Sequence, residues 1–199
     1  MKIPTFHYER ELMARGYRVI VGVDEAGAGC LAGPVVAAAV VLPLDSRLKL
    51  IRDSKLLTER NREILFDQIA ARADAWAIGS ASHEEINKIG IRQANYLAME
   101  RAIEQIEGVE FALVDAWTLP NLKIPQNGII KGDTKIKSIA AASIMAKVTR
   151  DRHMLEQARL YPEYGFERHK GYGTKFHQEA IHKHGPCPIH RTSWEIFQK

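Results

Sequence analysis

The chain has 199 residues, 46% hydrophobic and 26% charged, with a formal net charge of +4. This suffices to bury a full core as one domain with at most a small appendage. No apolar run nears the roughly 20 residues needed to span a bilayer, residues 1–17 lack a signal-peptide apolar segment, and Cys30 and Cys187 are too few for a disulfide framework, so a reducing cytoplasm is the expected compartment.

The charge is uneven. Residues 1–119 carry 14 Lys/Arg against 17 Asp/Glu, whereas residues 120–199 carry 14 against 7 and six of the eight histidines. A basic C-terminal part favours a polyanionic partner, although the same charge also serves as a solubilising surface.

In chain order, residues 6–14 predict a short amphipathic helix stopped by Gly16. Residues 19–24 and 35–42 are continuous apolar, β-branched runs that read as buried strands. Between them, VGVDEAGAGCLAGP (21–34) places Asp24 and Glu25 at a strand end, followed by the small-residue loop Gly27-Ala28-Gly29. Residues 44–57 form a polar connection containing Asp53-Ser54-Lys55. Thr58, with Glu59 and Asn61, marks a helix start that Ile64, Leu65, Ile69 and Ala73 continue at helical spacing. A third strand follows at 76–80, then one long helix over 87–106 with Ala94, Leu97, Ala98, Ala102 and Ile106 on one face. Residues 111–115 (FALVD) are a strand ending in an acid, and 128–133 (GIIKGD) read as another. Residues 138–160 form a long helix with Ala141, Ile144, Met145, Val148 and Leu155 facing the core and Lys147 and Arg150 flanking that stripe. The tail, 161–199, is rich in Tyr, His, Gly and Pro. The pattern is an α/β sheet with helices on both faces, whose site lies where strand ends converge.

Taken singly, Asp24, Glu25, Asp115 and Asp133 are ordinary strand-end or cap residues. Taken together, four converging carboxylates require cations, and an oxygen-only donor set selects Mg²⁺ or Mn²⁺ over zinc. Two such ions about 4 Å apart would activate water and stabilise the leaving oxygen of a phosphodiester. The Gly27-Ala28-Gly29 loop lacks the third glycine and the helix of a dinucleotide fingerprint, but allows close backbone approach to a ligand. Lys131, Lys135, Lys137, Lys147, Arg150 and Arg152 read either as phosphate contacts or as a solvated helix face. HKHGPCPIH (182–190) has one thiol and two prolines, which favours a positively charged surface tail over a zinc site. Cys30 reads as a small buried residue. Tyr172, between two glycines and near basic residues, is either packed or stacks on a sugar or base.

These residues, together with DSKLL, KSIAAASIMAKVTRD, YPEYGFERHKGYGT and GPCPIHR, make the chain resemble the ribonuclease HII family, the type 2 ribonucleases H, over nearly its whole length. The resemblance implies an α/β ribonuclease H-like fold: a five-stranded mixed sheet flanked by helices, with a catalytic core over 1–160 and a helical, substrate-binding extension over 161–199 packed on it. It places the metal ligands on Asp24, Glu25, Asp115 and Asp133, and the junction-sensing tyrosine on Tyr172. Substrate contacts fall on Gly27, Ala28, Gly29, Lys55, Lys147 and Arg150. The implied activity is metal-dependent hydrolysis of the RNA strand of RNA/DNA hybrids and incision 5′ to ribonucleotides embedded in duplex DNA, by a monomer using one or two Mg²⁺ or Mn²⁺ ions.

The chain departs from the family's Gly-Arg-Gly at Ala28. That motivates a second reading, a nucleic-acid-binding protein of the same fold with weakened catalysis. A third, a small-molecule phosphate enzyme, is disfavoured by the basic C-terminal half and the missing third glycine.

Overall fold

The computed structural model describes residues 3–46, 48, 51, 54 and 57–197. Five strands form one mixed sheet in the order β3-β2-β1-β4-β5, where β1 is Ile20–Ala26, β2 Val35–Val41, β3 Ala75–Ala81, β4 Phe111–Asp115 and β5 Gln126–Ile129. The first three are antiparallel neighbours, whereas β4 and β5 run parallel to β1.

Alternation along β2 shows why its unbroken apolar run is a central strand. Val35, Ala37, Ala39 and Val41 enter one core with the helix α4 (Ile91–Glu104), and Ala38 and Val40 enter a second with α2 (Glu59–Arg72) and α5 (Lys137–Leu160). A strand covered on both faces has no need of polar residues on either. The α5 face against the sheet is built of Ser138, Ala140, Ala141 and Ala142, all buried. These let the helix backbone lie so close that a Cβ on Gly22 would stand 2.3 Å from the Ser138 carbonyl carbon. The short helix α1 (His7–Ala14) closes one end: Oε1 of its buried Glu9 accepts from the Ser138 N–H at 3.1 Å and hydroxyl at 2.8 Å, supplying an N-terminal cap to α5 that α5's own sequence lacks.

Three expectations need correction. The single helix expected over 87–106 is two, α3 (His83–Ile89) and α4, because Ser82 and Glu85 form a capping box and Gly90, at φ +79°, ends one helix and starts the next. The strand expected over 128–133 stops at Ile129, since Lys131 adopts a left-handed conformation and leads into a single 3₁₀ turn, Gly132–Thr134. On α5 it is Met154, and not the half-buried Leu155, that is buried.

Part of the segment 182–190, expected to be a surface tail, is also buried, at Cys187, Ile189 and His190. The helices α6 (Phe166–His169) and α7 (Lys175–His184) and the residues after them form a third core, in which Tyr164, Phe166, Ile181, Cys187 and Ile189 pack on Leu31, Ala32 and Met154. Among the described residues no helix is long and apolar enough to cross a membrane.

Candidate active site

The parallel strands β1 and β4 stay paired through Val23 and Val114 and then part. Asp24 is the next residue on one and Asp115 the last on the other, and Ala116, at φ +58°, turns the chain away. Into this parting opens a cleft of about 230 Å³, lined by Asp24, Glu25, residues 26–29, Ser54, Asp115, Ser143, Lys147 and Tyr172. It lies outside the carboxyl ends of parallel strands, where such sheets place their ligands.

Asp24 is 5% exposed. Its Oδ1 accepts from the Glu25 N–H at 2.8 Å, and the Ser143 hydroxyl, on the same cleft wall, is 2.9 Å from the Ser54 hydroxyl. Burial, followed by the negative charges of Glu25 and Asp115, holds the Asp24 carboxyl well above the usual carboxylate range. Asp115 Oδ1 accepts from the Gly132 N–H at 2.6 Å. Asp133, buried in the 3₁₀ turn, follows that glycine directly but does not line the cleft. Among the described residues no three His, Cys, Asp or Glu side chains already stand as an ion's cage. The donor set nevertheless fits a hard cation: three carboxylates share one cleft, and the buried one is raised by its burial and then by the other two. Mg²⁺ takes only one or two protein carboxylates and keeps its waters, so it needs no preformed cage.

The small-residue loop forms one wall. Gly27 is buried at φ +93°, and a Cβ there would stand 1.9 Å from Arg150 Nε, whereas a Cβ on the exposed Gly29 would meet nothing within 4 Å. Two fully buried arginines hold this loop from behind. Arg191 donates to the carbonyls of Gly33 (3.0 Å), Ala28 (2.9 Å) and Gly27 (2.7 Å). Arg150 donates to those of Pro34 (2.9 Å), Lys170 (2.9 Å) and Ala32 (3.0 Å). The Leu31 N–H donates to the Gly171 carbonyl at 2.8 Å, so the loop is stitched to the segment carrying Tyr172. The Tyr172 ring stands at the rim, with Lys147 Nζ 5.3 Å from its centroid.

The ribonuclease HII family model matches residues 21–197. Ribonuclease HII of Desulfitobacterium hafniense is 53% identical over 192 residues, 96% of this chain and 74% of its own. That of Acetivibrio thermocellus is 52% identical over 188 residues, 94% of this chain and 73% of its own. The chain belongs to the ribonuclease HII family. Its fold agrees: the crystal structure of ribonuclease H2 from Pyrococcus horikoshii superposes with a TM-score of 0.77 at 27% identity, covering 91% of this chain and 96% of that one. The expected five-stranded mixed sheet with a helical C-terminal part is thus the family's fold, and the protein is a ribonuclease H enzyme.

Within this ribonuclease HII chain, the basic residues named from sequence separate by burial. Among the described residues only Lys147 lines the cleft, where its Nζ pairs with Asp151 at 2.8 Å. Arg150 is corrected from a phosphate contact to a buried support: its guanidinium is spent on three carbonyls and no phosphate can reach it. Arg152 pairs with Glu63 and lies over the Phe66 ring, Lys137 lies over Phe6, Lys135 donates to the Ile130 carbonyl, and Lys131 is exposed. Lys55 lies outside the described residues. Sequence reasoning passed over Ser143, Ser54 and Arg191. Ser143 had a usable signal, because it precedes Lys147 by four residues and so shares its helix face. Arg191 had none, since only tertiary packing reveals that an arginine is buried behind a loop about 160 residues earlier in the chain.

Proposed function

We propose that this enzyme cleaves the RNA strand of RNA/DNA hybrids and incises 5′ to ribonucleotides embedded in duplex DNA, leaving 3′-hydroxyl and 5′-phosphate ends, as a cytoplasmic monomer. The observation that carries this is the buried Asp24 carboxylate beside Glu25 and Asp115 in a cleft walled by a glycine loop and an aromatic rim. Asp24, Glu25, Asp115 and Asp133 are the residues that would hold one or two Mg²⁺ or Mn²⁺ ions. Such an ion supplies Lewis-acid stabilisation of the charge that develops on a phosphodiester.

The chain's own groups do the rest. The Glu25 N–H orients Asp24, and Ser143 lines the cleft beside it. Gly29, with open space where a Cβ would stand, lets loop backbone groups approach a ribose 2′-hydroxyl, the group that distinguishes RNA from DNA. Lys147 offers a cation to the adjacent phosphate. Tyr172 stacks on the sugar that follows the ribonucleotide and thereby reads the junction.

The test is nicking of a DNA duplex containing one ribonucleotide, with Mg²⁺, with Mn²⁺, and with chelator. We expect a single incision 5′ to the ribonucleotide with either metal and none with chelator. Chelator-resistant cleavage, or equal cleavage of an all-DNA duplex, would overturn the reading.

A further inference from the structure

Behind Tyr172 lie three histidines whose imidazoles touch one another and, among the described residues, bond to no carboxylate. His169 and His177 are stacked with centroids 4.5 Å apart, and His177 and His190 meet Nε2 to Nε2 at 3.0 Å. His177 and His190 are buried, with Phe166 edge-on to His177 and Tyr164 5.0 Å from His190.

Their hydrogen bonds fix every tautomer. A carbonyl can only accept, so His177 Nδ1, 2.9 Å from the Tyr172 carbonyl, carries the hydrogen and donates to it. In a neutral ring His177 Nε2 is then an acceptor, and the donor it meets is His190 Nε2–H. His190 Nδ1, which lies 2.8 Å from the Cys187 nitrogen and 3.2 Å from the Cys187 carbonyl, is therefore left to accept from the Cys187 N–H. By the same argument His169 Nδ1 accepts from the Gly171 N–H at 3.2 Å, and its Nε2–H donates to the Tyr164 carbonyl at 2.9 Å. The chain of bonds runs from the Cys187 amide through two rings to the backbone of Tyr172, and the third ring holds the residue before it. Burial keeps the chain uncharged: it lowers His177 and His190 to about 4 and His169 below its usual value.

His190 is followed by Arg191, which grips the Gly27 and Ala28 carbonyls on the opposite wall of the cleft. One dipeptide thus ties down both walls. We propose that His169, His177 and His190 are positioning residues for substrate reading, a relay of neutral imidazoles in fixed tautomers that sets Tyr172 at a defined distance from the loop held by Arg191. This deepens the reading that Tyr172 senses the junction, and rests on it.

The test has a structural arm and a kinetic arm on the full chain. Nitrogen-15 spectra at neutral pH should show Nδ1 protonated in His177 and Nε2 protonated in His169 and His190; any other set overturns the relay. His177→Phe keeps a ring but removes both polar atoms, and His177→Asn restores a donor near the Nδ1 position. Amide exchange at Thr174, whose N–H also binds the Tyr172 carbonyl, should quicken about tenfold in His177→Phe, as loss of one buried hydrogen bond implies. Unchanged exchange overturns the positioning role.

On a duplex with one ribonucleotide, His177→Phe should raise KM about tenfold with kcat within about twofold. The effect should be smaller on a continuous hybrid and partly reversed in His177→Asn. In a Tyr172→Ala background the same substitution should add little. An effect that persists at full size there, or that is equal on both substrates while Tyr172→Ala itself distinguishes them, reduces the histidines to fold support and overturns the proposal. If Tyr172→Ala does not distinguish the substrates, it is the reading of Tyr172 that fails, and the exchange and nitrogen-15 results alone decide whether the histidines position it.

Discussion

Gly27 and Gly29 stand two residues apart under different constraints. Gly27 combines a positive φ with contact against Arg150, while Gly29 meets nothing. Gly27→Ala should therefore lose about 1–3 kcal/mol of stability, seen as a lowered Tm. Gly29→Ala should melt like the parent and lose affinity for ribonucleotide-containing duplex. A normal Tm in Gly27→Ala would mean that the loop relaxes and that Arg150 does not fix it. Between them, Ala28 has its carbonyl held by Arg191 and its methyl against the α4-side core, so the backbone half of the loop's chemistry is intact. Ala28→Arg should add a charge-assisted contact of about 1.5–3 kcal/mol to a polyanion. A binding titration of both proteins on one junction duplex checks this, and identical affinities would make the side chain irrelevant. Asp24→Asn removes a buried charge at constant shape. Cleavage should fall ~10³-fold or more, if several kcal/mol of transition-state stabilisation pass through that site. Stability should hold or rise, because the charge is opposed by burial and by two neighbouring carboxylates. Near-parental nicking would remove Asp24 from the site.

At the scale of the element, α5 does two separate jobs on adjacent turns. Ser143 and Lys147 face the cleft, and Arg150, one turn on, faces the loop's carbonyls from inside. The two cations should respond differently to removal. Lys147→Ala, if the side chain meets a phosphate, should reduce the salt dependence of binding by about one unit at unchanged Tm. Arg150→Ala removes the donor from three carbonyls, two of them buried, and should cost about 3 kcal/mol or more of stability. Arg150→Lys should not rescue it, since an ammonium cannot reproduce the planar fork. A Tm loss in Lys147→Ala matching that of Arg150→Ala would contradict this division. The ion pairs around Lys147 explain its modest structural role: Asp151 is shared between Lys147 at 2.8 Å and Arg62 at 3.8 Å, and Arg62 also donates to the Ser54 and Leu57 carbonyls.

For the whole molecule, the buried histidines couple stability to pH. His177 and His190 are held near 4 in the folded state by burial and titrate near 6.5 when unfolded. Between these values the unfolded chain binds more protons, so the stabilisation is fully present above about pH 6.5 and is lost as pH falls towards about 4. The steepest slope for two such groups is about 2.7 kcal/mol per pH unit, an upper bound for a pair that faces one another. Denaturant midpoints measured from about pH 7 to about pH 4.5 should fall, and in His177→Phe they should fall less steeply. A flat profile in the parent would mean that the rings are not buried neutral. Because these rings sit behind Tyr172, acid loosening should begin in the C-terminal segment.

The sequence alone determined the buried strands whose apolar runs are unbroken and the family, and it named the candidate carboxylates. Residues 19–24, 35–42 and 111–115 are apolar because their strands are covered on both faces, and that requirement is written directly in composition. Asp24, Glu25 and Asp115 were legible as candidates because an acid in or at the end of a buried apolar run is costly without a partner, so it marks a place where a cleft can open. Where one residue type serves two ends, the sequence was silent. Gly90 reads as one more helical position until its positive φ is seen, and GIIKGD reads as a strand until Lys131 turns left-handed. Arg150 and Lys147 lie three residues apart on one helix, and nothing local says which is buried. HKHGPCPIH reads as polar and exposed, yet Cys187, Ile189 and His190 are inside. Burial of a polar group depends on partners distant in the chain: carbonyls at 27, 28 and 33 for Arg191, a ring at 177 for His190. Only the tertiary structure supplies those partners, so only it decided which cations and imidazoles line the cleft and which hold it together from within.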